Sequence, residues 1–168
     1  MQQRLILQAL LTLFVATANA GTVTEWSALE RASERPQNWV THHGTLDGQR
    51  YSRLDMINKD NVKQLRVAFT YVVGGVGGGG AWEHAGLEGT PLAEDGFLYI
   101  TDGWGSVYKL DVRANGKLVW KMDPETDRDW AGAVTCCGVD NRGVALWRDK
   151  VISHALDGRL IVTNKDSG

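Results

Sequence analysis

Two adjacent cysteines, Cys136 and Cys137, and the nearby Arg142 are the residues whose types and spacing most clearly suggest chemistry. Adjacent Cα atoms lie about 3.8 Å apart, below the roughly 4.4–6.8 Å usual for disulfides. A bond between these sulfurs would therefore close a small, strained ring with a stiff, polarizable face. Arg142 offers a planar set of donors that suits a carboxylate. The pattern indicates a site for a flat, acidic molecule; the alternative is two buried free thiols beside a solvent-facing arginine.

The first 20 residues have the pattern of a secretory signal peptide. Arg4 supplies the positive charge, residues 5–15 are mostly apolar, and Ala18-Asn19-Ala20 resembles a cleavage site. The apolar run is shorter than the roughly 20 residues that span a bilayer, so we expect no membrane span. We predict cleavage after Ala20, a mature chain of residues 21–168, and export to a compartment where disulfides persist.

The charge balance excludes some partners. The whole sequence carries 18 basic and 20 acidic residues, a net charge of −2. Loss of Arg4 with the signal peptide makes the mature chain slightly more acidic. This balance argues against nucleic acid or an anionic membrane surface as a partner.

The elements that must position the cysteines and Arg142 are short strands separated by glycine turns. A helix over residues 22–35, ended by Pro36, and a strand over residues 65–73 come first. Turn signals such as Asp95-Gly96 and Asn115-Gly116 then separate the remaining strands. The apolar alternation predicts strands over residues 87–92, 97–101, 106–112 and 117–122, and, after a turn at Asp149-Lys150, strands over residues 144–147, 151–155 and 159–164.

These strands form an internal repeat. Residues 105–111 align with residues 158–164 at a constant spacing of 53 residues. All-strand repeats of roughly 40–50 residues are typical of β-propellers, whose antiparallel four-stranded blades need about three or more neighbours for stability. We therefore predict an all-β propeller whose domain continues beyond this chain. The alternative is two unrelated pairs of hairpins with similar turns.

Two other motifs have ordinary explanations. The pair His42-His43 could bind a metal, but hydrogen-bonded loop histidines are the better interpretation because few other ligand residues lie near them. The glycine-rich residues 74–80 could cradle a phosphate, but neither a Lys-Ser/Thr pair nor a helix pattern follows them. A flexible loop is the favoured interpretation of that stretch.

The sequence resembles the start of the pyrroloquinoline quinone (PQQ)-dependent alcohol dehydrogenases, the quinoprotein family of methanol/ethanol dehydrogenase type. The matches extend over most of the mature chain, and a cysteine pair followed by Asn-Arg-Gly is the strongest. The segment from Gly116 to Trp120 also resembles the motif that joins neighbouring blades in these propellers. The matching residues are Asn38-Trp39, Gln49-Arg50-Tyr51-Ser52, Leu54-Asp55, Ile57-Asn58, Asn61-Val62, Leu65, Val67-Ala68, Glu88, Thr90-Pro91-Leu92, Cys136-Cys137, Asn141-Arg142-Gly143-Val144-Ala145 and Leu156-Asp157-Gly158-Arg159-Leu160.

The resemblance implies the first blades of an eight-bladed propeller with PQQ near its axis. It assigns Glu88, Cys136, Cys137 and Arg142 to cofactor binding, with the two cysteines bonded to each other against one face of the quinone. It implies a periplasmic enzyme that oxidises an alcohol by hydride transfer to the quinone and passes electrons to a cytochrome c. A calcium or lanthanide ion is implied as well. Residues 1–168 match neither its ligands nor a catalytic residue, so we expect the isolated chain to be inactive.

Two departures from the methanol enzymes put the substrate in question. The segment before Glu88, including residues 74–80, is longer than in those enzymes. Gly138 and Asp140 occupy positions at which the residue type often differs in them. A cofactor-free propeller that acts as a binding or outer-membrane assembly scaffold is the rival interpretation, but such a scaffold has no need of adjacent cysteines. A short, secreted, cofactor-free β-protein is a third.

Overall fold

The computed structural model describes residues 24–74, 85–135 and 138–168. Among these residues, no helix has the length and apolar character needed to cross a bilayer. The predicted signal peptide, the glycines of residues 75–80 and both cysteines lie outside the described residues. The described helices are α1 (Trp26–Glu30), α2 (Arg128–Val134) and the 3₁₀ turns Ala32–Glu34, Val62–Gln64 and Val112–Ala114.

The first large sheet is an antiparallel four-stranded meander, as expected for a propeller blade. Its strands lie in chain order, and two left-handed dipeptides make its outer turns. Asp95 and Gly96 have φ of 49° and 81°, and Asn115 and Gly116 have φ of 55° and 73°. Glu94 pairs with Phe97, so Asp95-Gly96 is the tight two-residue hairpin turn that Asp-Gly favours. Asn115-Gly116 instead ends a longer connection over residues 112–116, because Asp111 pairs with Lys117 and Val112–Ala114 forms a 3₁₀ turn. The strands are β2 (Leu92–Glu94), β3 (Phe97–Thr101), β4 (Val107–Asp111) and β5 (Lys117–Met122).

A second antiparallel sheet repeats the pattern with three strands. Gly105 precedes β4 with φ of 90°, and Gly158 precedes the last strand with φ of 84°. The two aligned glycines thus share a backbone conformation, which supports the internal repeat. The strands are β7 (Val144–Trp147), β8 (Lys150–His154) and β9 (Leu160–Asn164), and a separate two-stranded parallel ladder joins β1 (Ala85–Gly86) to β6 (Val139–Asp140).

The predicted bounds of β3, β5 and β7 are confirmed, whereas the predicted strand over residues 87–92 is wrong. Only Leu92 of that range lies in a strand, because Pro91 has no backbone N–H to donate to a ladder. The predicted turn at Asp149-Lys150 is shifted by one residue. Lys150 pairs with Trp147, so Arg148, with φ of 52°, and Asp149 form the loop.

The predicted strand over residues 65–73 is also wrong. Its backbone forms no ladder with any described strand. The alternation is still visible in the packing. Phe69 covers Gly116, and Tyr71 meets the Tyr108 ring edge-on at 5.9 Å between centroids. Val67 is 83% exposed, so the described chain leaves this end of the segment largely uncovered.

The main core lies between the two sheets. Tyr99, Val107 and Trp120 of the first sheet pack with Leu146 and Val151 of the second. The Trp120 indole N–H donates to the Lys165 carbonyl at 3.0 Å, directly after β9. Trp120 thus joins the sheets, as the Gly116–Trp120 motif predicts.

Charged side chains are buried at the same seam between the sheets. Glu94 of β2 is 3% exposed, and it pairs with Lys165 at 2.7 Å and accepts from the Thr24 hydroxyl. Lys109 of β4 is 4% exposed and donates to the Lys165 carbonyl at 2.8 Å. Burial is the largest influence on Lys109 and lowers the pKa of its amine. Each buried charge has a partner, as buried charges require.

Candidate functional site

The β1–β6 ladder brings two distant parts of the sequence together. Ala85 pairs with Val139, and Gly86 pairs with Asp140. The Asp140 carboxylate also accepts a hydrogen bond from the Gly86 backbone N–H at 3.0 Å. Residues before the first blade strand are therefore fixed beside residues that follow the cysteine pair.

Glu88 and Arg142 meet at this point as an ion pair between the Glu88 Oε2 and the Arg142 Nη1 atoms. Each residue lies two positions beyond a residue of the Gly86–Asp140 pair, so the parallel register carries them side by side. The pair stays accessible: the Arg142 side chain is 71% exposed and that of Glu88 is 48% exposed. Two of the predicted cofactor-binding residues are thus brought together, in contact with solvent.

The backbones beneath this ion pair touch through two glycines. A Cβ atom on Gly89 would lie 3.1 Å from the Gly143 nitrogen and 2.8 Å from the Thr101 hydroxyl oxygen. Gly143 has φ of 106°, a conformation that L side chains rarely adopt. Glycine at both positions lets the segments of Glu88 and Arg142 approach closely.

Asn141 anchors the Arg142 turn to the second sheet. Its side chain is buried, donates to the His154 carbonyl at 2.8 Å, and accepts from the Gly143 N–H at 2.9 Å. These contacts fix the backbone on both sides of Arg142. A cavity of about 370 Å³ opens beside the turn, lined by residues 140–144 and 154–156.

Helix α2 ends shortly before the cysteine pair and was not predicted. The Asp127 carboxylate accepts from the Trp130 N–H at 3.0 Å and caps the helix start. Ala131 packs with the buried Trp104 and with Val139 of β6. An aspartate followed by a short polar and small-residue stretch was the available signal, but seven residues are too few for a clear helical period.

The predicted metal alternative for His42-His43 gains no support, since the described residues contain no cluster of three or more potential metal ligands. His42 Nδ1 lies 2.7 Å from the Thr90 hydroxyl, and His43 Nδ1 accepts from Arg50 at 2.9 Å. Partial desolvation first, and then the Arg50 charge, lower the pKa of His43. Both histidines are hydrogen-bonded loop residues, as the sequence favoured.

The chain matches the family described as glucose/ethanol/alcohol dehydrogenase, beta-propeller domain, of the PQQ group, over residues 39–168. It is 42% identical over 137 residues to quinohemoprotein alcohol dehydrogenase ADH-IIG of Pseudomonas putida, covering 82% of this chain and 18% of that protein. The solved structure of that enzyme superposes with a TM-score of 0.80 at 38% identity, covering 90% of this chain and 21% of the other.

Two further relatives differ in what their names specify. A 1-butanol dehydrogenase (cytochrome c) of Thauera butanivorans is 40% identical over 130 residues, covering 77% of this chain and 17% of that protein. The structure of a europium-containing methanol dehydrogenase gives a TM-score of 0.74 at 30% identity, covering 84% of this chain and 23% of the other.

These matches define the class as quinoprotein propellers. The chain belongs to the PQQ-dependent alcohol dehydrogenase family and carries its β-propeller fold. It spans about a fifth of the length of these relatives.

Proposed function

We propose that this chain forms the first blades of a PQQ-dependent alcohol dehydrogenase and supplies one side of its cofactor site. The complete propeller would oxidise an alcohol in the periplasm after removal of residues 1–20. The observation that carries this proposal is the accessible Glu88–Arg142 ion pair, which the β1–β6 ladder assembles from two segments. The assembly connects the two segments that the family resemblance assigns to the cofactor.

The described residues fit the chemistry of PQQ, which carries carboxylates and quinone carbonyls on a flat ring system. The Arg142 guanidinium is largely exposed and can donate to a carboxylate in a two-pronged arrangement. Glu88, paired with that guanidinium, would keep Arg142 oriented and contact a polar edge of the ring. Cys136 and Cys137, outside the described residues, would offer the stiff face. When bound, PQQ supplies the two-electron acceptor for alcohol oxidation.

The other components of the reaction would lie outside this chain. A calcium or lanthanide ion is the proposed metal, and the europium in one structural relative supports a lanthanide as one possibility. A cytochrome c is the proposed electron acceptor, in keeping with the name of the Thauera butanivorans relative. The ligands of the metal and the catalytic base are proposed to come from other blades.

The rival function is a cofactor-free propeller scaffold. The buried seam between the sheets suits both functions, because any propeller needs joined blades. An exposed pair of opposite charges over two closely packed glycines has no evident role in a scaffold. This feature favours the enzyme.

Titration of the apo-form of the complete propeller with PQQ, followed by tryptophan fluorescence, tests the proposal. We expect saturable binding that Arg142→Gln weakens by about tenfold or more, because a charge-assisted hydrogen bond is lost. Arg113→Gln is the matched control, since Arg113 forms a comparably exposed ion pair with Asp111 in a hairpin turn. Absence of PQQ binding, or equal weakening by both variants, would contradict the proposal.

A second experiment addresses the cysteines. Thiol titration of the denatured, unreduced protein should find neither Cys136 nor Cys137 free. Changing both to serine should weaken PQQ binding while leaving the melting temperature of the apo-protein nearly unchanged, because a loop between neighbours constrains the unfolded chain little. Two free thiols, or a large loss of apo stability with unaltered PQQ affinity, would support structural thiols instead.

A further inference from the structure

Asp140 has no role in the function proposed above. We infer that Asp140 is a positioning residue that sets the spacing of Glu88 and Arg142 for the cofactor. This inference rests on the proposed function, because its consequence is measured on PQQ binding. Its basis lies in the contacts of the Asp140 side chain.

The Asp140 carboxylate strengthens a very short ladder. The parallel β1–β6 pairing comprises two residues on each strand, and parallel pairing is slightly less stable per residue than antiparallel pairing. The hydrogen bond from the Gly86 N–H to Asp140 Oδ1, at 3.0 Å, adds a side-chain link across the same pair. Asp140 therefore holds together the strands on which the ion pair depends.

The same carboxylate lies against Gly86, on a side of that residue that the Glu88 side chain also approaches. A Cβ atom on Gly86 would be 2.8 Å from Asp140 Oδ1 and 3.4 Å from Glu88 Oε1. Asp140 thus occupies the space that a side chain at Gly86 would take, close to the Glu88 carboxylate. Movement of Asp140 would let the Gly86–Glu88 segment shift relative to Arg142.

Geometry rather than charge accounts for this role. A second carboxylate near Arg142 repels Glu88 and would repel the carboxylates of PQQ, so its charge opposes binding. Its accepted hydrogen bond favours binding by keeping Glu88 and Arg142 in register. An asparagine at position 140 retains an acceptor oxygen of the same size and separates these two effects.

The experiment compares Asp140→Ala and Asp140→Asn in the apo-form of the complete propeller. The first readout is hydrogen exchange of a peptide that contains Gly86, which needs no cofactor. We expect Asp140→Ala to speed exchange at Gly86, because the amide loses its partner, and Asp140→Asn to retain protection. The matched control is Asp149→Ala, which removes an exposed carboxylate that pairs with Lys150 in a turn of the second sheet.

The second readout is PQQ affinity. We expect Asp140→Ala to raise the Kd by about tenfold, the usual weight of one such hydrogen bond. Asp140→Asn should leave the Kd unchanged or lower it, because the opposing charge is removed, and Asp149→Ala should leave it unchanged. Equal affinity in Asp140→Ala and the unaltered protein, or equal loss in Asp140→Asn and Asp140→Ala, would overturn the inference. An unaltered protein that fails to bind PQQ would overturn the proposed function, while the exchange result would still test the contact itself.

Discussion

Two regions of the molecule use ion pairs in opposite ways. At the seam between the sheets, Glu94 and Lys165 pair with side chains only 4% and 10% exposed. At the candidate site, Glu88 and Arg142 pair with side chains 48% and 71% exposed. Both pairs join a glutamate to a basic side chain, lysine at the seam and arginine at the site, but they differ in their access to water.

The difference shows which charges serve the fold and which are available to a ligand. A buried pair loses much stability when one partner is removed, because the other charge remains desolvated. An exposed pair contributes little to stability, so its groups can exchange partners with a bound molecule at low cost. Stability should therefore respond to changes at the seam, and affinity to changes at the site.

The largest stability effect is expected for Glu94→Gln. Lys165 would keep a buried charge without its carboxylate partner, and we expect a loss of about 3–5 kcal/mol in the free energy of unfolding. Asp149→Asn makes the same chemical change in the exposed pair with Lys150 and should cost less than about 1 kcal/mol. Urea unfolding of the complete propeller measures both. Similar values for the two variants would remove the distinction between buried and exposed pairs.

A smaller effect is expected for Trp120→Phe. This change removes the indole hydrogen bond to Lys165 and leaves a partly empty space, at a cost of about 1–2 kcal/mol. The Lys165 carbonyl keeps the Lys109 amine as a donor, which limits the loss. Trp26→Phe is the control, because Trp26 is 59% exposed. Thermal unfolding measures both variants. Equal melting temperatures for Trp120→Phe and Trp26→Phe would contradict the role of Trp120 in joining the two sheets.

At the site, Arg142→Gln should change the free energy of unfolding of the apo-protein by less than about 1 kcal/mol. The reason is the exposure of the pair, whose charges remain hydrated when separated. The same urea measurement checks this value. A loss as large as that of Glu94→Gln would show that the Glu88–Arg142 pair is part of the structural core.

The smallest and most specific effect concerns Lys109 and pH. Because the pKa of Lys109 is lowered in the folded state, the unfolded chain binds the proton more tightly. The stability of the unaltered protein relative to Lys109→Met should therefore rise with pH between the lowered pKa and 10.5, the ordinary value. Urea unfolding across that range tests the sign, and the exposed Lys117→Met controls for the loss of one lysine. A flat or falling difference would contradict the lowered pKa.

Much of the fold follows from local sequence signals. β3, β5 and β7 have the predicted bounds because alternation and glycine turns define them within a few residues. The segment of residues 65–73 shows the limit of that reasoning. Its alternation correctly places Phe69 and Tyr71 against the first sheet, but a strand requires a hydrogen-bonded partner, and none lies among the described residues.

The site was predicted only in part. The resemblance identified Glu88 and Arg142, and the structure places them in contact. The sequence could not reveal the two-residue ladder that joins Gly86 to Asp140. Such a short pairing leaves no periodic pattern, and its two strands lie 54 positions apart. Lys109 was likewise missed at the seam, since a lysine within a strand ordinarily indicates a solvated face.

The bond from Trp120 to Lys165 has a consequence for the order in which the chain acquires structure. The donor belongs to one blade and the acceptor follows the last described strand of the next, 45 residues later. During vectorial synthesis or export, the first blade therefore emerges before the group that completes its packing. The packing of the first blade therefore stays incomplete until about one further repeat has been synthesised. Because this contact closes over a modest length of chain, the two described sheets can assemble progressively from the N-terminal side, and the second consolidates the first.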